Sequence, residues 1–282
     1  MSNLREKALL ITLCMPAFGG YKHDKDAGAS VKEKFGIDAS EDAGNYNKKL
    51  MPNLIKKINS EGAKLRNWFT SVTLPWDNNG RHIILSKAYL PFLKEFAERK
   101  AKVMAVVEEE ADHLSEEIEK DKKRLSGLWK ITDYPTRDEL ISKYTIKLFP
   151  EQIPNNEDFR ADLNQADIDQ LKVEMGDVEK ERQDLAMKKL WGRVFEAVNH
   201  LVERIDDPDE TFKNATITKI QRICDMMPSL NIEDNEDMKE VVKGLQENIL
   251  TIDPDDIRYD SILRKKVNTF AKDILDKITY NL

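Results

Sequence analysis

The sequence predicts a mainly α-helical protein, and three observations support that prediction. Charged residues make up 34% of the 282-residue chain and apolar residues 40%, a balance typical of long, solvated helices. The chain has only 11 Gly and 10 Pro, which disfavours a many-turned β architecture. Two long segments repeat apolar residues at steps of three and four. We expect two long antiparallel helices forming a coiled-coil-like hairpin, a C-terminal helical bundle, and a small basic N-terminal head with at most a short β element.

The same patterns divide the chain into three segments. Residues 1–84 form a basic and aromatic N-terminal head. Residues 85–208 form the long helical hairpin, with a connector at 130–164, and residues 209–282 supply C-terminal helices that pack on this body. A long connector between two long helices is what an antiparallel hairpin with an elaborated tip requires.

Apolar spacing and cap residues set the bounds of the two long helices. The first is expected to begin at Ser86, a favourable N-cap residue, and to end near residues 127–129. A stripe sustained over about five heptads predicts a coiled-coil-like seam. Its members are Leu93, Phe96, Val103, Val107, Ala111, Leu114, Ile118, Leu125 and Leu128. The second helix is expected to begin at Asn164 or Gln165 and to end at Asp206-Asp-Pro208.

Shorter elements are predicted from turn and cap chemistry. The apolar run at residues 8–18 predicts a buried strand, and Thr136 is expected to cap a short helix over Arg137–Tyr144. Asp77-Asn-Asn-Gly80 predicts a turn that returns the chain to a buried Ile83–Leu85. Helices are also expected at Ser30–Phe35, closed by Gly36, and at Tyr46–Leu65, 209–230, 233–250 and 254–278.

The net charge of −7 hides an asymmetry along the chain. Residues 1–100 carry 17 Lys and Arg against 11 Asp and Glu, whereas residues 101–282 carry 28 against 41. A positive head can meet phosphate or an acidic protein surface, and a negative body repels nucleic acid. The charge pattern therefore bears on partners and not on fold.

Several chemistries are disfavoured by the motifs. The chain contains no phosphate-cradling glycine loop and no nucleophile motif. Glu110-Ala-Asp-His113 has the form used in di-iron bundles but lacks the matching set on the other helix, so we interpret it as a solvated acidic face. Cys14 and Cys224 lie in apolar surroundings and imply no disulfide framework. We expect no cofactor, no metal site and no catalytic residues, and no apolar run is long enough to span a membrane.

A basic and aromatic cluster in the head is the remaining candidate site. Lys and Arg can neutralise phosphates while Trp and Tyr stack on bases, which is how single strands are bound. The alternative is that the aromatic residues form the core of the head and the lysines its solvated face. A third possibility is that heads dock on bodies in a homo-oligomer. The candidate surface comprises Lys48, Lys49, Lys56, Lys57, Lys64, Arg66, Trp68, Trp76 and Arg81.

Four motifs follow one another along the chain: Asp42-Ala-Gly-Asn-Tyr-Asn-Lys48, Thr73-Leu-Pro-Trp-Asp-Asn-Asn-Gly-Arg81, Asp133-Tyr-Pro135 and Pro154…Asp158-Phe-Arg160. Together they resemble an uncharacterised protein family of tailed bacteriophages. The resemblance implies a phage protein acting in the host cytoplasm or in the virion. Relatives are sometimes encoded near MoxR-type AAA ATPase and von Willebrand-A proteins, which implies a phage or host partner such as an AAA ATPase. The family supplies no catalytic residues.

The sequence therefore predicts a non-enzymatic phage protein of the host cytoplasm. We expect a helical protein–protein interaction or scaffold module that self-associates into a homo-oligomer through its long helices. The alternative function is binding of single-stranded DNA by the basic and aromatic head. Neither function requires a membrane or a cofactor.

Overall fold

A computed structural model describes residues 4–35, 45–155, 164–206 and 214–280. The protein is mainly α-helical with a small antiparallel sheet. Its helices are α1 (Leu4–Lys7), α2 (Lys25–Phe35), α3 (Pro52–Ser71), α4 (Ser86–Asp112), α5 (Leu114–Leu125), α6 (Arg137–Ser142), α7 (Gln165–Asp206), α8 (Asn214–Leu230), α9 (Glu236–Leu245), α10 (Pro254–Tyr259) and α11 (Ser261–Thr279). Its strands are β1 (Ala8–Cys14), β2 (Tyr21–His23), β3 (Asn47–Lys49), β4 (Leu74–Pro75), β5 (Arg81–Leu85) and β6 (Lys147–Glu151).

The chain divides into two compact units that do not coincide with the three sequence segments. Unit 1 comprises Met1–Thr12, Thr70–Phe92 and Phe149–Leu282, and unit 2 comprises Leu13–Phe69 and Leu93–Leu148. The expected N-terminal head, residues 1–84, thus contributes to both units. Among the described residues, no helix is long and apolar enough to cross a membrane.

Unit 1 is built on a four-stranded sheet with the order β4-β5-β1-β6. β1 and β5 are antiparallel, with Ala8 opposite Leu85 and Thr12 opposite Arg81. β4 and β5 form an antiparallel hairpin in which Leu74 lies opposite Ile83. The apolar run that begins at Ala8 forms a strand that is largely buried, with Ala8, Leu10 and Ile11 almost fully excluded from solvent.

The core of unit 1 centres on the second half of α7. This helix contacts α8, α11 and β4, and α8 also contacts β5 and α9. Apolar residues at steps of three and four face this core. Those of α7 are Ala186, Met187, Leu190, Trp191, Val194, Ala197, Val198, Leu201, Val202 and Ile205.

Unit 2 contains α3 and most of α4, together with α2, α5, α6 and the two-stranded sheet of β2 and β3. α3 begins at Pro52, whose fixed φ and missing N–H suit the first turn of a helix. Its buried residues include Leu54, Ile58 and Leu65, one face of a 3.6-residue period. α3 and α4 are also joined by an ion pair between Lys57 and Glu110.

Most element predictions agree with the structure, but several bounds are corrected. The strand expected over residues 8–18 ends at Cys14, the helix expected at Ser30–Phe35 begins at Lys25, and the single helix expected over 254–278 is divided into α10 and α11 at Asp260. The helix expected over Tyr46–Leu65 starts only at Pro52, because residues 47–49 pair with β2 as a strand. The first long helix is interrupted at His113 and ends at Leu125. The start of α7 at Gln165 and the cap at Thr136 are confirmed, the latter as a full capping box with Glu139. Gly36, Asp42-Ala-Gly44, Asp158-Phe-Arg160 and Asp207-Pro208 lie outside the described residues.

Candidate functional sites

The nine residues of the candidate basic and aromatic surface are divided between the two units. Trp76 and Arg81 belong to unit 1, and the other seven residues belong to unit 2. Lys48, Trp68 and Trp76 are buried, at 3%, 8% and 1% exposure. Their assignment to a binding surface is therefore corrected, because a ring or an ammonium packed in the core cannot reach a base or a phosphate.

Lys48 lies at the centre of a buried ion cluster. Its Nζ is 2.8 Å from Asp24 Oδ2 and 2.6 Å from Asp133 Oδ2, and it donates to the Leu128 carbonyl at 2.7 Å. Burial alone would lower the pKa of Lys48, but Asp133 and Asp24 outweigh it and raise the pKa. The cluster joins Lys48, the last residue of the Asp42–Lys48 motif, to Asp133, the first residue of the Asp133-Tyr-Pro135 motif.

Asp121 forms a second buried polar centre in unit 2. Its Oδ2 accepts from the Met51 backbone N–H at 2.6 Å and from the Tyr134 hydroxyl at 3.0 Å, while Oδ1 accepts from Arg124. Met51 has a φ of 46°, a backbone conformation that residues other than Gly rarely adopt. The carboxylate therefore stabilises a strained link between β3 and α3. Sequence reasoning missed Asp121, because its partners Met51 and Tyr134 lie 70 and 13 residues away along the chain and no local pattern reveals them.

The Thr73–Arg81 motif in unit 1 is a tightly bonded turn. Asp77 Oδ1 accepts from the backbone N–H of Asn79 at 2.9 Å, and Asp77 Oδ2 accepts from Arg81 Nε at 2.6 Å. The backbone N–H of Trp76 donates to the backbone carbonyl of Arg81 at 2.8 Å. Arg81 is therefore engaged by Asp77 within its own turn, and Glu151 lies 3.8 Å from its guanidinium.

Arg193 of α7 caps the C-terminal end of α3. Its guanidinium donates to the carbonyls of Thr70, Ser71 and Thr73 at 2.9, 3.1 and 2.8 Å. The last carbonyls of a helix have no partner within the helix, and a cation near them is favourable. Beside this cap, His82 Nδ1 lies 2.8 Å from Thr73 Oγ1. Burial, with Arg193 nearby, lowers the pKa of His82 to about 4.

We expect unit 1 to lose stability as the pH falls from 6.5 towards 4. In this window the unfolded chain protonates His82 and the folded chain does not, so protonation favours unfolding. Allowing for the partial exposure of the ring, the expected loss between pH 7 and pH 5 is about 1 kcal/mol. Urea unfolding at both pH values measures it. A His82→Gln variant should lose less stability between pH 7 and pH 5 than the wild type. An equal loss in the variant would show that His82 is not the group responsible.

The basic side chains of α3 divide into paired and unpaired groups. Lys57 lies 2.6 Å from Glu110, and Lys64 lies 2.6 Å from Glu61. Lys56 and Arg66 are exposed and have no acidic partner among the described residues. Lys49, on β3, has none either, but its ammonium lies 5.8 Å from the centre of the Tyr21 ring.

A concave groove in unit 2 brings Lys49 and Lys56 together. It has a volume of about 320 Å³. Its lining also includes the exposed ring of Tyr21, which sequence reasoning did not single out. The full lining is Gly19, Gly20, Tyr21, Lys49, Leu50, Pro52, Ile55, Lys56 and Asn59.

The first half of α7 carries an apolar stripe that is not buried. None of residues 165–185 is fully buried, whereas the second half of the helix supplies the core of unit 1. Val178 is 41% exposed, and Leu171 and Met175 are half-buried. These three side chains line a cavity of about 310 Å³ together with Trp76 and Ile153.

The described residues contain no group of three or more His, Cys, Asp or Glu side chains able to hold a metal ion. Glu110 is buried against Lys57, and His113 is exposed beside Glu116. Cys224 is buried, and burial raises the pKa of its thiol to about 11. A thiol with that pKa stays protonated at neutral pH and is a poor nucleophile.

No protein-family model matches this chain, and neither a curated protein nor a solved structure is similar to it at a significant level. The resemblance to a bacteriophage family stays a prediction from the sequence motifs. The candidate sites must therefore be assessed from their own geometry and charge. Two described surfaces have a geometry and charge that suit a binding site: the stripe of α7 in unit 1 and the groove at Tyr21 in unit 2.

Proposed function

We propose that the protein is a non-enzymatic helical interaction module that self-associates through the first half of α7. The observation that supports it is the apolar stripe of residues 165–185, which lacks a fully buried member although the same helix is buried further along. Exposed apolar stripes on long helices mark association surfaces. The segment is about 30 Å long at 1.5 Å per residue, which is enough for a coiled-coil contact.

The charges beside the stripe favour a second copy of the chain in antiparallel orientation. Residues 165–179 carry five acidic side chains and one basic, whereas residues 180–190 carry four basic and two acidic. In an antiparallel pair the acidic part of each helix faces the basic part of its partner, and both contacts are equivalent by two-fold symmetry. The antiparallel pairing of long helices expected from the sequence thus becomes, in this proposal, a pairing between copies.

Two valines of α7 provide a matched test of this surface. Val178 belongs to the stripe, and Val173 is 64% exposed on the opposite side of the helix, since successive residues turn by about 100°. Val178→Lys places a charge in each half of the interface and should weaken the dimer by at least about tenfold. Val173→Lys should leave it unchanged. Sedimentation equilibrium over a wide range of concentrations measures both.

Two results in that experiment would contradict the proposal. One is a wild-type protein that stays monomeric at the highest concentration, and the other is an equal effect of the two substitutions. A further protein partner, such as a phage or host AAA ATPase, and a place in the host cytoplasm remain predictions of the family resemblance. Affinity purification from infected cells tests the partner.

A further inference from the structure

The groove of unit 2 combines an exposed aromatic ring with two ammonium groups. Tyr21 is 60% exposed, although it lies in a β-strand where aromatic side chains usually pack against a neighbour. It pairs across the two-stranded sheet with Lys49. The Lys49 ammonium lies 5.8 Å from the ring centre, which leaves much of the ring surface open to a ligand.

The two lysines of the groove differ from their neighbours in having no counter-charge. Lys48 is paired with Asp24 and Asp133, and Lys57 is paired with Glu110. Lys49 and Lys56 are exposed, and neither has an acidic partner in the part of the chain that the structure describes. An anion that enters the groove therefore meets two ammonium groups that are not already neutralised.

Part of the groove wall is the backbone of Gly19 and Gly20, which have no side chains. Gly20 has a φ of +68°, and a Cβ there would lie 2.2 Å from Ile55 Cδ1 and 3.1 Å from the Leu50 carbonyl oxygen. Its carbonyl accepts from the Leu50 N–H at 2.7 Å, which holds this wall against the start of α3. Only glycine fits at this position, so the chain can approach α3 closely and still leave the groove open.

We propose that this groove binds a nucleotide unit, with the base stacked on Tyr21 and the phosphate neutralised by Lys49 and Lys56. A volume of about 320 Å³ suits one such unit. Stacking on an exposed aromatic ring beside basic side chains is the mode by which single-stranded nucleic acids are bound with little sequence preference. The unit comes either from a free nucleotide or from a single strand, since both present the same chemistry.

Fluorescence anisotropy with a labelled oligothymidylate of about 15 nucleotides tests the proposal on the full chain. Tyr21→Ala should weaken binding by about tenfold or more, because it removes one stacking interaction. Tyr21→Phe should retain most of the affinity. The double variant Lys49→Gln/Lys56→Gln should weaken binding and reduce the dependence of affinity on salt. Lys64→Gln is the matched control, since that exposed lysine of α3 is already paired with the partly exposed Glu61 and lies outside the groove lining, and it should bind almost as the wild type does.

Competition with thymidine monophosphate identifies the source of the nucleotide. Displacement at similar concentrations assigns a free nucleotide, and displacement only by the oligonucleotide assigns a single strand; both results support the groove. Three results overturn the proposal: no binding of either probe at low salt, unchanged binding by the folded Tyr21→Ala variant, or equal displacement by polyglutamate. Val178 is not part of the groove lining, so Val178→Lys should leave this binding intact whether or not the protein self-associates through α7.

Discussion

A Lys48→Met variant should lose about 3 kcal/mol of unfolding free energy, since removing one partner of a buried ion cluster leaves the others buried and unpaired. The Lys48 side chain is 2% exposed, and those of Asp24 and Asp133 are 4% and 9% exposed. Methionine fills a similar volume but supplies no charge. Denaturant unfolding of the variant, followed by far-UV circular dichroism, measures the loss.

The adjacent lysine gives the control for that experiment. Lys49 is exposed and makes no ion pair with a described residue. Lys49→Met should therefore change the unfolding free energy by no more than about 0.5 kcal/mol. If both substitutions cost the same, Lys48 is not the centre of a buried cluster. A double variant Asp24→Asn/Asp133→Asn should instead leave the Lys48 ammonium unpaired and destabilise unit 2 as well.

A Trp76→Ala variant should lose about 3–5 kcal/mol in unit 1, the range for replacing a buried tryptophan by alanine. Trp76 is 1% exposed and packs in one core cluster with Leu10, Ile83 and Trp191. The cavity left behind is large, and the sheet and helices around it can close it only in part. Thermal unfolding followed by near-UV circular dichroism reports on this core.

Phenylalanine at the same position separates volume from hydrogen bonding. The indole Nε1 of Trp76 is buried and has no hydrogen-bond partner among the described residues. Trp76→Phe therefore removes a donor that forms no bond, and most of the apolar contact is kept. It should cost much less than Trp76→Ala. Equal losses in the two variants would show that the indole N–H has a partner.

The local signals in the sequence predicted the helices well. The start of α7 at Gln165 follows from its periodicity and from the polar residue Asn164 before it. The helix after Thr136 follows from the cap chemistry of Thr136 and Glu139. In each case the residues that set the helix boundary lie within a few positions of it, so the sequence alone predicts where the helix begins.

The roles of individual lysines could not be predicted in the same way. Lys48 and Lys49 are adjacent and identical, yet one is buried and the other is exposed. The difference depends on Asp24 and Asp133, which approach Lys48 only after β2 pairs with β3 and the chain returns after α5. Tyr21 was missed for the same reason, since it meets Lys49 through a pairing between strands that the local pattern does not reveal.

Cysteine crosslinking along α7 tests the proposed self-association most directly. In a Cys14→Ser/Cys224→Ala background, a single cysteine is introduced at Val178, near the point where the acidic residues 165–179 give way to the basic residues 180–190, or at Ile168 near one end. An antiparallel pair that sets the acidic part of each helix against the basic part of its partner is centred near residue 178. It brings the two copies of residue 178 together and separates the two copies of residue 168, and a disulfide forms only between Cα atoms within about 7 Å. We therefore expect a rapid covalent dimer from Val178→Cys and little from Ile168→Cys. Crosslinking at neither position, or equally at both, would contradict an antiparallel pairing through α7.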